Sequence, residues 1–532
     1  MEMLRKLDRQ LVDLASCYDG QAEHEAHPFI PSEENIEEIL QEVRTLDEVV
    51  AQELAGEHDA PAEVVLQHMA EVLETMRVRI HNDISFPHRY PGAITRRLNA
   101  LTDLDARPPE VRFAALCGVA DHAPDVLRAA CELGKQVNDE RRNMLLNALA
   151  IIPSVSERVA ASLDEVFSGT AEDSRVQQYA DRIARLPRLS EELSVQLRST
   201  PSVSEGEAVT GPEYPKILCG IFGVDMDRLL ATYKDEVYRC QEEMREIARA
   251  IDPDRDPFTI LDEDLPPRDT PEEMYRTIRN SLAIARNAAL KYITLPEGET
   301  CDVWQVPEYL KDSYPWGGYF SGSDMLSGNL SGAVFLNQYN YDSISLGWIH
   351  MNAVHECYPG HHADYVKTSA GNMPRCFKVG SGMVGAGKAA PLAEGIAHRS
   401  ERLLENIFDE PAFPLFVAYR RLHTAVRIWV DLAMHHFGGT REDGIELYQR
   451  FMKFGRDVAL GQVVAQEMTP GYFTVYYYGM RELERIQEEC GWDDVSFTEL
   501  IFSCGKVSIE TVKRMLRLSD EERRVLLSEF YT

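Results

Sequence analysis

Between Val354 and His362 the chain gathers three histidines, His355, His361 and His362, around Glu356, at the end of a largely apolar run. Two imidazoles and a carboxylate so close together point to a hydrolytic zinc centre. The usual pattern is H-E-x-x-H, because residues four apart lie about 40° apart around a helix and can aim two ring nitrogens at one ion. That spacing is missing here. Four residues after His355 stands Pro359, and His361 at six residues would fall on the wrong side of a regular helix. Proline inside a helix clashes with the carbonyl four residues back, here that of His355, so the helix must bulge or break. Taking Pro359-Gly360 out of register leaves His355-Glu356-Cys357-Tyr358-His361 and restores the ligand spacing. His362 competes, since seven residues on it faces correctly in an unbroken helix. About 10 Å along the axis is, however, a long reach for two bonds of about 2.1 Å to one ion. The second ligand is therefore His361 or His362.

A third ligand is expected from another helix, and Glu394 in Pro391-Leu392-Ala393-Glu394-Gly395-Ile396-Ala397-His398 is the candidate, following a glycine-rich loop with Pro391 near the helix start. Glu356, next to His355 but not a ligand, would activate the attacking water and carry its proton to the leaving group. His398, one turn after Glu394, is an alternative ligand or a support behind the ligands. The competing reading is structural: histidines capping a broken surface helix, and Glu394 as an ordinary helix-surface acid. His435-His436 before Gly438-Gly439 reads as a helix C-terminus, where cations suit the dipole.

The elements that must hold these groups are mostly helical. From about Glu34 to Ile293, apolar residues recur at three-to-four spacing, as in Val64, Val65, His68, Met69, Val72, Leu73 and Met76. Thr270-Pro271-Glu272-Glu273 is a capping signature that predicts a helix to about Lys291, and Asp225 opens another to about Ile251. Residues 252–267 and 296–332 read as loops. Ala333-Val334-Phe335-Leu336-Asn337-Gln338 is the best strand candidate. Helical periodicity resumes from Leu346, notably over Phe416 to Phe437 and Tyr476 to Cys490.

Of 532 residues, 55 are Lys or Arg and 87 Asp or Glu, a net charge of −32. Such a field repels polyanions, which argues against nucleic-acid binding and against anionic membrane surfaces. No run approaches the roughly 18 to 20 uninterrupted apolar residues of a membrane span, and Met1-Glu2-Met3-Leu4-Arg5-Lys6 carries no apolar signal region, so the expected location is cytoplasmic. Ten scattered cysteines without a C-x-x-C pair fit reduced, buried thiols.

On these residues the C-terminal half resembles the bacterial domain-of-unknown-function 885 family, whose members look like helical zinc peptidases of the glutamate-zincin type. The H-E-x-x-P-G-H element is His355 to His361. Val334-Phe335-Leu336-Asn337 is similar to its strand and asparagine, and Glu394-Gly395-Ile396-Ala397 to its E-G-x-A. Arg427-Ile428-Trp429-Val430-Asp431 with His435 is similar to its R-x-x-V-D-x-x-x-H. Pro470-Gly471 with Tyr476 and Gly479 is similar to its P-G-x-x-x-x-Y-x-x-G. The resemblance implies one zinc per chain on His355, His361 and Glu394, Glu356 as general base, and an oxyanion-stabilising phenol at Tyr476. Ile396, Arg399 and Tyr477 depart from the pattern and bear on pocket shape.

The expectation is a mostly α, large helical metallopeptidase-like fold with a short β segment beside the metal-site helix. Residues 1–294 form a helical half and 295–532 the metal-site half, with a channel between them. The function expected is a zinc-dependent hydrolase, a peptidase cleaving small peptides. The alternatives are an amidase or esterase on a small non-peptide substrate, or an inactive helical binding protein. Asn337, on an edge strand, would hydrogen-bond substrate backbone. Tyr472, Tyr477 and Tyr478 are expected as wall residues. The oligomeric state is left open.

Overall fold

The caps marked in the sequence open the helices they predict. In the computed structural model, the Thr270 hydroxyl accepts from the Glu273 amide at 3.2 Å and begins the helix Pro271–Ala289; Asp225 accepts from the Arg228 amide at 3.1 Å and begins Met226–Ile251. The structure describes residues 1–21, 24–105, 107–169, 173–201, 213–308, 311, 316–322, 325–379 and 387–531. Most of the glycine-rich segment ahead of Pro391 therefore lies outside the described residues.

The fold is mostly α. Residues 252–267 are not all loop: Asp256 caps a short helix, Pro257–Asp264. Nor are residues 296–332, which contain two of the three strands of a small sheet: β1 (Thr300–Gln305), β2 (Gly317–Ser321) and β3 (Ser331–Leu336). The order is β1-β3-β2, with β1 parallel and β2 antiparallel to β3. β3 is thus central, with both backbone edges paired, which corrects the expectation of an edge strand ahead of Asn337. Glycine and serine in β2 disguised it as a turn, because a strand's hydrogen bonds come from partners distant in sequence.

Apolar stripes bury the helices. Val64, Val65, His68, Met69, Val72, Leu73 and Met76 all face inward from Ala60–Ser85. One buried apolar cluster runs from Leu4 to Phe530 and joins both halves of the chain. The helix Asp139–Phe167 is long and apolar enough, by length and composition, to cross a membrane. Its Leu145, Leu149, Ile152, Val159 and Leu163 are buried inside the protein. Polar ties also cross the halves: the Asp8 carboxylate accepts from the Arg375 and Cys376 amides, each at 2.8 Å, and His68 Nε2 lies 3.1 Å from the Cys376 carbonyl oxygen.

The closest backbone approach that positions the site lies between the helices Ala390–Leu403 and Thr474–Cys490. A Cβ on Gly479 would overlap the Pro391 carbonyl oxygen, and one on Gly395 would overlap the backbone of Gly479. Only two missing side chains let these axes come so near, and the nearness brings the tyrosines ahead of Gly479 alongside Glu394. Gly479→Ala should therefore destabilise the protein by at least about 1–3 kcal/mol, the usual cost of overpacking. Urea denaturation measures this, and an unchanged midpoint would show that the helices have room to spare.

Candidate metal centre

The Ser345 hydroxyl caps the helix Leu346–Met351, which carries the motif. From Asn352 to Cys357 the turn widens to π geometry, closed by the Tyr358 amide donating to the Ala353 carbonyl at 2.9 Å. The chain then breaks at Pro359-Gly360, and a new helix, His361–Ala370, begins at His361. Bulge and break both occur where proline forbids a regular helix. Gly360 is needed for a local reason: a Cβ there would overlap the His355 carbonyl oxygen. This folded-back path brings the His355 and His361 rings to 5.0 Å, nearly perpendicular.

His355, His361 and Glu394 meet, their donor atoms all within 4.8 Å of one another. Glu394 Oε2 stands 3.6 Å from His355 Nε2 and 3.5 Å from His361 Nε2. Donors bonded at about 2.0–2.1 Å to a tetrahedral ion are separated by roughly 3.3–3.4 Å, so these spacings suit zinc. Glu394 Oε1 accepts from the Tyr472 hydroxyl at 2.9 Å, whereas Oε2 is buried without a hydrogen-bond partner. An orphaned carboxylate oxygen facing two imidazole nitrogens is the feature a cation would complete. Burial pushes Glu394 up, but the His361 and His355 rings outweigh it and hold the carboxyl well below its usual range. Burial pushes His355 down, but Glu394 and Glu401 outweigh it and raise it to about 10.

Glu401 is a contributor that the sequence reading missed. Fully buried, it places Oε1 2.7 Å from His355 Nδ1, so that nitrogen keeps its proton and Nε2 is the one turned to Glu394 Oε2. Its signal was present: seven residues after Glu394, it lies on the same helix face two turns on. His398 is buried beside it, Nδ1 3.2 Å from Glu401 Oε2, and burial lowers its pKa to about 4 despite Glu401, leaving it neutral. His355, His398 and Glu401 form a second compact group. It draws on His355 Nδ1, the nitrogen already bonded to Glu401, so it supports the first group rather than duplicating it.

Glu356 is half-buried, next to the donors, and has no hydrogen-bond or ion-pair partner among the described residues. Tyr476 lies with its ring 6.5 Å from that of His355 and nearly parallel to it, and its hydroxyl donates to that of Tyr472 at 3.2 Å. Tyr472, expected as a wall residue, therefore touches a candidate ligand directly. Tyr477 and Tyr478 point elsewhere, Tyr477 to Glu236 at 2.6 Å and Tyr478 to the Asp225 amide at 3.0 Å. Arg399 is likewise spent on Thr498, Gln487 and Asp494, and Ile396 is buried in the core.

His362 is not brought to the donors. Its Nε2 lies 2.9 Å from Glu299 Oε2 and its Nδ1 3.0 Å from the Tyr319 hydroxyl. Tyr358 and Arg286 also donate to Glu299, at 2.6 and 2.7 Å. Between His361 and His362, the structure brings only His361 to the cluster. Asn337 is also apart from it: buried, it accepts from the Tyr339 amide at 2.9 Å and donates to the Lys311 carbonyl at 2.7 Å, capping the turn after β3. Cys357 is buried with its Sγ 3.6 Å from that of Cys301, and both are free thiols.

Asp431 organises the far wall. Buried, it accepts from the Tyr214 hydroxyl at 2.7 Å, the Gly471 amide at 3.0 Å and Gln466 Nε2 at 3.1 Å, fixing the loop that leads to Tyr472 and Tyr476.

Residues 222–516, more than half of the chain, match the model of a family described as bacterial protein of unknown function, DUF885. The chain belongs to the DUF885 family. All residues of the donor cluster lie inside the span that defines this DUF885 protein. Solved structures share its fold, two of them as follows. One, a putative lipoprotein from Colwellia psychrerythraea, is 16% identical with a TM-score of 0.77, over 97% of this chain and 98% of that one. The other, described in the same terms and as of unknown function, is from Shewanella oneidensis; it is 17% identical with a TM-score of 0.71, over 97% and 100%. None of the curated proteins matches.

Should the cluster of this DUF885 chain take up a metal, His361→Ala would abolish its retention while His362→Ala keeps it, as read by elemental analysis after gel filtration. The reverse outcome would assign the ligand to His362. Glu401→Gln should weaken metal affinity by roughly 10- to 100-fold. Glu299 yields a pH test. Burial pushes it up, but His362, Tyr358 and Arg286 outweigh this and hold it at about 2, against an ordinary 4.5. A depressed carboxyl adds stability that is complete above its unfolded value and lost as pH falls toward the folded one. Unfolding midpoints of the parent should thus fall between about pH 4.5 and 2 more steeply than those of Glu299→Gln.

Proposed function

We propose that the chain is a zinc-dependent peptidase of the glutamate-zincin type that cleaves small peptides. The observation that carries this reading is the orphaned Oε2 of Glu394, held 3.5–3.6 Å from two imidazole nitrogens with Glu356 unpartnered beside them. His355, His361 and Glu394 would hold one zinc. Bound there, zinc supplies positive charge that polarises the scissile carbonyl and acidifies water.

The chain's own groups do the rest. Glu356, adjacent to His355, takes a proton from the attacking water and delivers it to the departing amine. Glu401 holds the His355 ring in one tautomer and orientation. Tyr472 occupies Glu394 Oε1 and so directs the other oxygen inward. Tyr476, its hydroxyl on that of Tyr472, can turn its donor to the oxygen on which negative charge develops. A purely structural role explains the buried ion pairs but leaves Glu356 idle, which is why the catalytic reading is preferred to an inactive binding protein.

Purified protein should hold about one zinc per chain, and chelation should stop peptide hydrolysis while the helical circular dichroism persists, because a core of this size does not rest on one ion. Glu356→Gln should keep zinc and lose about two to four orders of magnitude in turnover. Tyr476→Phe should lose about 10²- to 10³-fold with zinc content unchanged. Full activity in metal-free protein would end the proposal. Zinc-dependent cleavage confined to non-peptide esters or amides would transfer the site to that substrate class.

A further inference from the structure

Three residues on one helix, Phe413–His435, serve the site in succession. Arg420 extends toward Glu401, Nη2 to Oε1 at 3.6 Å, with its guanidinium 4.7 Å from the Trp348 ring centroid. Asp431 fixes the Gly471 loop. Between them stands Arg427, whose guanidinium lies 5.5 Å from the Tyr476 ring centroid and 4.8 Å from that of Phe473. Its Nη2 makes a long contact, 3.3 Å, to Gln462 Oε1, and its Nε is buried with no partner. Among the described residues no carboxylate comes within ion-pair distance of it, in a chain with 32 more acidic than basic side chains. The carboxylate whose field it does feel, Glu394, is committed to His355, His361 and Tyr472.

A guanidinium taken largely out of water without an anion is costly unless something pairs with it. Arg427 as a residue is only partly buried, and Phe473 and Tyr476 hold its guanidinium by their rings rather than by an anion, which leaves its fork uncommitted to any carboxylate. Its planar fork matches a carboxylate bidentately. It stands one phenol ring from His355, and an extended residue spans about 3.5 Å, so one or two residues bridge from a carbonyl at the donor cluster to the guanidinium.

We infer that Arg427 binds the free C-terminal carboxylate of the substrate, so that the site removes residues from peptide C-termini or splits dipeptides. This rests on the peptidase reading above and narrows it to exopeptidase action. Arg427 then sets specificity by touching the substrate, while Phe473 and Tyr476 flank the terminal residue. A chain continuing past the site would cover the guanidinium and strip its remaining water without offering it an anion, which disfavours internal peptide bonds.

Two measurements test it. In hydrolysis, peptides with a free C-terminus should exceed their C-terminal amides by roughly 10- to 100-fold in kcat/KM, the usual range for hydrogen bonds to a charged group, expressed mainly in KM. In binding, read by calorimetry without turnover, 4-phenylbutanoate should bind more tightly than 4-phenylbutanamide by a similar factor. Arg427→Gln should reduce both ratios to within about threefold of unity, and Arg427→Lys, which keeps the charge but loses the fork, should give intermediate ratios. Circular dichroism and zinc content establish that each variant is folded and loaded. Equal handling of acid and amide by the parent, or an acid preference that survives in Arg427→Gln, would overturn the inference. An Arg427-dependent preference for the acid in binding, with no peptide of either kind cleaved, would support the carboxylate site and remove the peptidase reading instead.

Discussion

A carboxylate without water is the constraint around which this structure is arranged. Glu394 is buried, and an ionised carboxyl in such a place is tolerated only when opposite charge or hydrogen-bond donors surround it. Each neighbour answers that demand from a different stretch of chain: His355 from the end of one helix, His361 from the start of the next, Tyr472 from the loop that Asp431 holds. The second buried acid, Glu401, repeats the problem one layer back and is met by His355, His398 and Arg420. Both carboxylates share His355, so its two ring nitrogens serve different layers and its tautomer is not free to change.

Backbone contact delivers the donors as much as side-chain chemistry does. Gly360 is small because the His355 carbonyl lies against it, and Gly395 and Gly479 because two helices meet backbone to backbone. Several glycines of the motifs are therefore spacers that set distances for neighbouring ligands, not participants in chemistry.

This division explains what was legible in the sequence. Pro359 forbids a regular helix through His355, a local steric fact, so the break and the approach of His361 to His355 could be reasoned from seven residues. Helix caps at Thr270 and Asp225 are equally local. β2 was not legible, since Gly317 to Ser321 reads as turn and becomes a strand only by pairing with β3. Asn337 was misplaced for the same reason: the strand before it is central, and its amide closes a turn instead of facing outward. Glu299 left no trace, because its partners Tyr358 and His362 lie about sixty residues away and only tertiary structure introduces them. Glu401 was visible as a periodicity but not as a role, which depends on the tautomer of a histidine from another helix.

Tyr358 and His362 bracket the Pro359-Gly360-His361 segment, and both are tied to the same Glu299 carboxylate oxygen. His361 is thus held in a loop clamped at both ends, and His355 is clamped from behind by Glu401. The entropy of assembling the ligands is settled when the chain folds rather than when an ion arrives. Two imidazoles and one carboxylate preassembled in this way would, as the site of a metal ion, have little means of adjusting to ions of different size. Rigidity of this kind would make the protein's shape, and not only the supply of metal, a filter on any ion that enters.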